Sequence, residues 1–515
     1  MRIGTNVAAI VANNALQKSQ NNLSTSIERL SSGYKINGSK DDAAGCAISE
    51  KMRAQIRGLS QAQNNTADGV SVLNTAEGAI TEIQSMLTRL KELSVQAAND
   101  ANSDDEREAI QKEIEQINNE IDRISDQTEF NTQSLINGNL SRRVYSDLQG
   151  VNQLSVSDSY TAGVYGITVT EDARQAIAVG AGSITMSSTA SITKEQAGAI
   201  NINGYKISIS EGDTLDKVMG KIIDGVNITG GSAFTVKDLN NDTAANGTDY
   251  AGYVPTADYA GSTLVIMTNQ YGSDQKMNIT CDNAELADIL GIPQAATQDG
   301  IYVEGSDVKA EIATGDDGKR IGFADSAILS TKGTVITVTD VNNKEFSMDV
   351  PGNAAGTVFD DSNNDGQSAA GAGTARTISQ EVTDVGTMSI HVGANQDQVI
   401  VIDIPAITTY SLGTEHMNVM TQYTASRAIS TVDEAINKTN KIRSRIGAYE
   451  NRFDHTTNNL EVSSENLTKS LSTMIDTDMS EEMTTYTSET VLTQAATSIL
   501  AQANERPSQV LQLLQ

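Results

Sequence analysis

The chain has 515 residues, 38% of them hydrophobic and 4% aromatic, with no Trp, 5 Pro, 2 Cys and a formal net charge of −30. That length exceeds what one core serves and suggests roughly three to four domains, packed mainly by aliphatic side chains. The acidic excess, most of it in residues 151–425, repels phosphate backbones and anionic lipid, so nucleic acid and membrane are set aside as partners. No apolar run approaches the roughly 20 residues a transmembrane helix needs.

The first stretch, MRIGTNVAAIVANNALQKSQ, lacks the apolar block and small-residue cleavage site of a secretory signal, so export would take another route. Residues 3–34 read as a helix, with Ile3, Val7 and Ile10 followed at helical spacing by Leu16, Leu23, Ile27, Leu30 and Tyr34. Its polar face is Asn, Gln and Ser, which offers few ion pairs and predicts a helix marginal on its own. It is either an ordinary amphipathic arm or a segment that orders on association. Gly33, Gly38 and Gly45 with Asn37, Ser39, Asp41 and Asp42 then interrupt the helix, and Asp41 or Asp42 caps the next one.

Met52, Leu59, Thr66, Leu73, Ile80 and Leu87 recur every seven residues, with Ala62, Gly69, Ala76, Ile83 and Leu90 three further on. This is one narrow stripe along a long helix that ends near Asn99 to Ser103. Asp104, Asp105, Glu106 and Glu108 open a second helix, striped by Ile110, Ile114, Ile117, Ile121 and Ile124. Far along the chain Val432, Thr439, Ile446, Phe453, Leu460, Leu467 and Met474 keep the seven-residue step, which predicts the third member of one coiled-coil-like bundle.

Between these ends, period-two alternation such as Tyr165–Thr170 makes residues 151–425 mostly β. Within it, 201–224 reads as a hairpin strand, a capped turn and a short helix with Leu215, Val218 and Ile222 inward, and 284–292 as another short helix. Strands resume in GTVITVTDV and KEFSMDV, Gly352–Thr377 reads as a long exposed loop, and 388–405 as a hairpin returning to the bundle. The last segment follows a break around Leu471–Ser480 and carries Met483, Tyr486, Val491, Leu492, Ala495, Ile499, Leu500 and Ala503. After Pro507, Val510, Leu511, Leu513 and Leu514 form an apolar terminus, an association signal.

Chemistry-bearing residues are sparse. Cys46 and Cys281 are too few for a disulfide framework and read as small buried hydrophobes. His391, His416 and His455 have no Cys, paired His or HExxH neighbour, and DDSNNDGQ (360–367) lacks the twelfth-position Glu of an EF-hand. The expectation is a protein that is not an enzyme, with no catalytic residues, metal or cofactor.

DDAAGCAISEKMRAQIRGLSQAQNN (41–65), LKELSVQAAND (90–100), EIDRISDQTEFN (120–131), SRIGAYENRFDHTTNNLEVSSENL (444–467) and LAQANERPSQVLQLLQ (500–515) closely resemble bacterial flagellin. The resemblance covers roughly 1–145 and 386–515; in the middle it extends only to a β-rich insert with INGYKISISEGDTL as a recurrent insert motif. It implies an α+β fold: a long antiparallel coiled-coil-like helical bundle formed by N- and C-terminal segments, with a β-rich inserted middle region. The implied divisions are 1–40 and 475–515 as helices of the inner filament core, 41–150 and 386–474 as bundle with a β-hairpin region, and 151–385 as a variable, surface-exposed outer region of two subdomains.

The resemblance further implies an extracellular filament subunit for motility, secreted through the flagellar type III apparatus. Its partners would be copies of itself, filament cap and hook-junction proteins, an export chaperone and an innate immune Toll-like receptor. Val7, Ile10, Leu23, Ile27, Leu30, Val491, Leu492, Ile499, Leu500, Val510, Leu511 and Leu514 are the expected assembly residues, and Arg89, Leu93 and Glu113 match the family's receptor patch. Two departures stand out: Cys46 replaces a usual aliphatic, and 466–483 lacks the Arg residues that usually precede the IDTDM-like turn. The alternatives are a hook-filament junction-type axial protein, or a flagellin whose middle carries adhesive or enzymatic activity.

Overall fold

The structure, a computed structural model, describes residues 6–157, 160–180, 182–237, 259, 261–293, 296, 300–315, 318–340, 344–352, 359–360, 369–370, 375–383 and 385–512. The fold is α+β, with long helices from both ends of the chain and a β-rich middle. Two compact units emerge, one of residues 1–70, 390–400 and 451–515, the other of 71–389 and 401–450.

In the first unit, α1 (Val7–Ser32) starts on Asn6, whose side chain accepts from the Ala9 amide, and stops at Gly33 in the left-handed region. Tyr34 is therefore outside the helix, in a bridge to Asp476. The next helix, α2 (Ala43–Ala97), is capped by Asp42, which accepts from the amides of Ala44 and Gly45 at 3.0 Å, while Asp41 holds the linker amides of Asn37 and Gly38. Strands β20 (Met388–His391) and β21 (Val399–Ile402) form the expected hairpin. Its tip lies against α2, where a Cβ on Gly58 would come within 3.0 Å of Ala394 Cβ. Likewise a Cβ on Gly69 would meet Phe453 Cζ at 3.0 Å, so two helical glycines serve close approach.

In the second unit the heptad ladder is core: Leu73, Ile80, Ile83, Leu87 and Leu90 are fully buried. Opposite runs α7 (Gln422–Ile475), antiparallel, since Lys91 pairs with Asp433 (2.6 Å), Gln84 with Asn440 (3.0 Å) and Glu77 with Arg443 (2.6 Å). Buried hydroxyls in the ladder bond back into their own helices, Ser94 to the Leu90 carbonyl and Thr439 to that of Ala435.

A capping box of Ser103 and Glu106 opens α3 (Asp104–Gln127). Its buried face departs from the isoleucine ladder. Ile110, Ile114 and Ile121 are buried, but Asn118 and Ser125 take the places expected for Ile117 and Ile124, which are half-buried. The reason is polar: Asn118 donates to the Thr414 carbonyl (2.8 Å) and Ser125 to that of Ile136 (3.2 Å). Asp122 holds the amide and hydroxyl of Thr409, which starts the short α6 (Thr409–Leu412).

The middle contains two large hydrophobic clusters. One joins the sheet of β12 (Ile301–Glu304), β11 (Lys276–Cys281), β7 (Gly198–Ile202) and β8 (Tyr205–Ile209), in that order, the strands β6 (Ile177–Val179), β10 (Ser262–Thr268) and β9 (Gly231–Lys237), and the helices α4 (Leu215–Ile228) and α5 (Ala284–Ile289), with Leu215, Val218 and Ile222 inward as expected. Its β7 (Gly198–Ile202) and β8 (Tyr205–Ile209) pair as a hairpin, and Cys281 is buried in this cluster. The other lies between the sheet of β13 (Lys309–Ile312), β5 (Gly163–Glu171), β19 (Arg376–Val382) and β3 (Val144–Ser146) and that of β14 (Ile328–Lys332), β15 (Val335–Thr339), β16 (Glu345–Asp349) and β4 (Asn152–Val156), each in that order, and collects Tyr160, Tyr165, Phe323 and Phe346 edge-on or stacked at 5.1–6.1 Å. Burial beside Asp340 pushes the Tyr160 phenol up to about 12.

The expected loop Gly352–Thr377 is corrected where it is described. Phe359–Asp360 pairs with Ala369–Ala370, and Thr377 already belongs to β19 (Arg376–Val382), because Ile378 and Val382 on its inward face join the second cluster. Residues 353–358, 361–368 and 371–374 lie outside the described residues.

Candidate assembly surface

Asn6, Asn22, Ser26 and Arg29 tie α1 to α8 (Met479–Gln512). The Asn6 amide donates to the Ala503 carbonyl (2.8 Å), Asn22 to Glu489 (2.9 Å) and Ser26 to Glu482 (2.5 Å), and Arg29 faces Glu482 at 3.6 Å. As one index rises the other falls, so the two terminal helices run antiparallel. The turn between α7 and α8 adds two backbone bonds, Lys35 N–H to the Ile475 carbonyl (2.6 Å) and Thr477 N–H to that of Gly33 (3.0 Å). Asp478 caps α8 by accepting from the amide of Ser480 at 2.8 Å. In this linker, where Arg is missing from 466–483, local polar bonds such as Ser472 to Asp476 (2.5 Å) are present, and the guanidinium facing Glu482 comes from Arg29.

The pair buries little apolar surface. Ala12 and Ala503 are buried, while Val7, Ile10, Val11 and Ile27 on α1 and Met483, Val491, Leu492 and Ile499 on α8 stay about half or more exposed. Leu23, Leu30 and Leu500 are half-buried. Two helices that leave a row of large aliphatics in water on both members present a surface rather than a finished core. Val510 and Leu511 fall at the end of α8, and Leu514 lies outside the described residues.

The expected receptor patch is reshaped. Arg89 and Glu113 are exposed and paired, Arg89 donating from Nε (3.0 Å) and Nη2 (2.8 Å) to Glu113 and from Nη1 to Glu92 (3.1 Å). These bonds raise the Arg89 pKa above its ordinary value. Leu93 is a correction: it is 1% exposed, because the steps from Leu90 to Leu93 to Ala97 keep it on the buried face of α2.

Of the other chemistry-bearing residues, His391, His416 and His455 are exposed, and Cys46 is half-buried. Burial pushes the Cys281 thiol up. Among the described residues no group of three or more His, Cys, Asp or Glu is placed to hold a metal, and no helix is long and apolar enough to cross a membrane.

The model of the bacterial flagellin N-terminal helical region matches residues 3–141, and that of the C-terminal helical region matches 429–514. Flagellin of Salmonella typhimurium is 32% identical over 537 residues, covering 99% of this chain and 99% of its own. The chain belongs to the bacterial flagellin family. Polar flagellin A of Vibrio parahaemolyticus is 30% identical over 515 residues, covering 100% of this chain and 99% of its own. These matches make the protein a structural subunit of the extracellular flagellum. Among solved structures, flagellar hook associated protein-3 from Legionella pneumophila covers 82% of this chain and 98% of its own at 13% identity and a TM-score of 0.28, from which no functional argument follows.

Sequence reading missed the polar residues that fix this flagellin's elements. The pairing of Asn6 with Ala503 and the burial of Asn118 and Ser125 depend on which backbone carbonyls come near. The one available signal was position: Asn118 and Ser125 each follow a stripe isoleucine at helical spacing.

Proposed function

We propose that this flagellin polymerises into the filament through the paired terminal helices. The observation that carries the reading is the solvent exposure of Val7, Ile10, Ile27, Val491, Leu492 and Ile499 along one antiparallel pair. Burying such side chains against other copies is the main favourable term available to association. Leu23, Leu30, Leu500, Val510, Leu511 and Leu514 complete the proposed contact set. Segments 1–40 and 475–515 then form the inner layer, 41–150 and 386–474 the next, and 151–385 projects outward. The subunit leaves through the flagellar type III apparatus with an export chaperone and adds beneath the cap, above the hook-junction proteins.

Seeded polymerisation tests this. Limited proteolysis should cut both ends of the monomer and spare them in filaments, and removing Val510–Gln515 should impair assembly while the middle keeps its circular dichroism. Normal filaments from the truncated chain would overturn the reading.

A second reading is favoured by the exposed ion pair of Arg89 and Glu113. These two residues are the contacts offered to an innate immune Toll-like receptor, with Leu93 acting through packing. A reporter-cell dose response of Arg89→Ala tests it, and an unchanged response removes Arg89 from the contact.

A further inference from the structure

Pro507 lies inside α8, which continues to Gln512. A proline there has no N–H to donate to the carbonyl four residues back. The carbonyl in question is that of Ala503, a residue buried to 8% exposure. It is the same oxygen that accepts the side-chain amide of Asn6 at 2.8 Å. The other half of the Asn6 amide is also used, since its Oδ1 accepts the Ala9 N–H at 3.2 Å and caps α1. One carboxamide thus starts the first helix with its oxygen and satisfies the proline-freed carbonyl of the last helix with its nitrogen. A carboxamide carries its acceptor and its donor on separate atoms; ionised Asp has no donor and the single oxygen of Ser is too short to span both partners, so either would keep only the cap.

We infer that Asn6 and Pro507 form a register key for the terminal pair, with Asn6 as a positioning residue that fixes α1 against α8 where the chain's two ends meet. The inference rests on the polymer reading, because a register fixed at this point determines which apolar side chains of α1 and α8 line up for another copy. At the linker end the backbone bonds of Lys35 to Ile475 and Thr477 to Gly33 hold the pair, but along the helices the ties at Asn22, Ser26 and Arg29 reach flexible carboxylates of Glu489 and Glu482, which leaves the open end without a fixed point other than Asn6. A backbone carbonyl does not move along its helix. Slipping the pair by one residue would take away the Asn6 donor, and Pro507 has none to replace it.

The test is a double-mutant cycle in the full-length chain. Asn6→Ser keeps the cap but is too short to reach Ala503. Pro507→Ala restores an N–H at position 507, so the Ala503 oxygen no longer needs Asn6. The expected result is a critical concentration about fivefold to tenfold higher for Asn6→Ser alone, reduced to less than about twofold when Pro507→Ala is also present. An unchanged critical concentration in Asn6→Ser, or the same increase in both backgrounds, overturns the key.

Failure of the unsubstituted chain to polymerise counts against the polymer reading, and the key is then decided in the monomer by amide exchange. Exchange over residues 7–12 and 500–506 should quicken in Asn6→Ser and return toward the parent rate in the double variant. No such rescue overturns it.

Discussion

Ile499→Ala isolates the contribution of a single assembly side chain. In the chain by itself Ile499 is 56% exposed, so a little under half of its possible burial is already achieved within the subunit. The substitution removes three carbons, worth about 2.4 kcal/mol if fully buried at about 0.8 kcal/mol each. The unsatisfied share, about 1.3 kcal/mol, is what contact with another copy would supply, and it corresponds to a critical concentration about eightfold higher. Alanine is also the better helix former, so the helicity of the monomer should hold or rise slightly. The assay is sedimentation of seeded filaments over a concentration series, with circular dichroism of the monomer alongside. Ile328→Ala is the control, since Ile328 is 71% exposed but sits on the edge strand β14 (Ile328–Lys332), which belongs to the other compact unit. An unchanged critical concentration for Ile499→Ala, or an equal rise for Ile328→Ala, would refute the reasoning.

Leu93→Ala should lower bundle stability by about 2–5 kcal/mol, as for other buried leucines, whereas Arg89→Ala should leave the thermal midpoint nearly unchanged; circular dichroism melts separate the two. Arg443 makes hydrogen bonds to Glu77 and Gln84 with its side chain about a third exposed, so Arg443→Ala should cost about 1–2 kcal/mol, against less than about 1 kcal/mol for Lys91→Ala at the more open pair with Asp433, measured by urea titration. Asp213, only 5% exposed, accepts from Lys217 (2.8 Å), Lys221 (2.6 Å) and the Ser210 amide, and these bonds hold its carboxyl well below the ordinary 3.8. Its contribution is therefore present above about pH 4 and lost as pH falls through the depressed folded value. Asp213→Asn should lower the melting temperature at neutral pH, and the gap from the parent chain should narrow at the acid end.

The sequence made the bundle legible wherever apolar residues alone meet apolar residues. From Ala62 to Ala97 on α2, and from Val432 to Leu460 on α7, most of the seven-residue ladder is buried, because a period of 3.5 admits few other arrangements. Legibility fails where the helix face meets irregular backbone. On α3, Asn118 and Ser125 are buried in preference to Ile117 and Ile124, because a carbonyl of a turn needs a donor more than the site needs a methyl group. Leu93 matches a receptor patch by resemblance, yet its spacing from Leu90 and Ala97 already places it on the inward face, where it is buried. The hairpin motif in the middle was readable as strand, turn and helix, but not the role of its Asp213, which depends on two lysines one and two turns along α4.

The weakness of the terminal helices has a physical cause. On α8, Thr484, Thr485, Thr487, Thr490, Thr493 and Thr497 each turn their hydroxyl back to the carbonyl four residues earlier. Such bonds satisfy the side chain within its own helix and contribute nothing to holding α8 against α1. β-branched threonine is also a modest helix former, so a run of them lowers intrinsic helix stability. On α1 the only ion pair reaching α8 among the described residues is that of Arg29 with Glu482, at 3.6 Å. Yet the apolar side chains that would offset this are the ones left half in water, from Val7 to Ile27 and from Met483 to Ile499. A helix pair with low intrinsic stability and unspent apolar surface gains most of its order only when that surface is covered. Its folding is thereby linked to the concentration of whatever covers it, by the same mass action that links any ligand to stability.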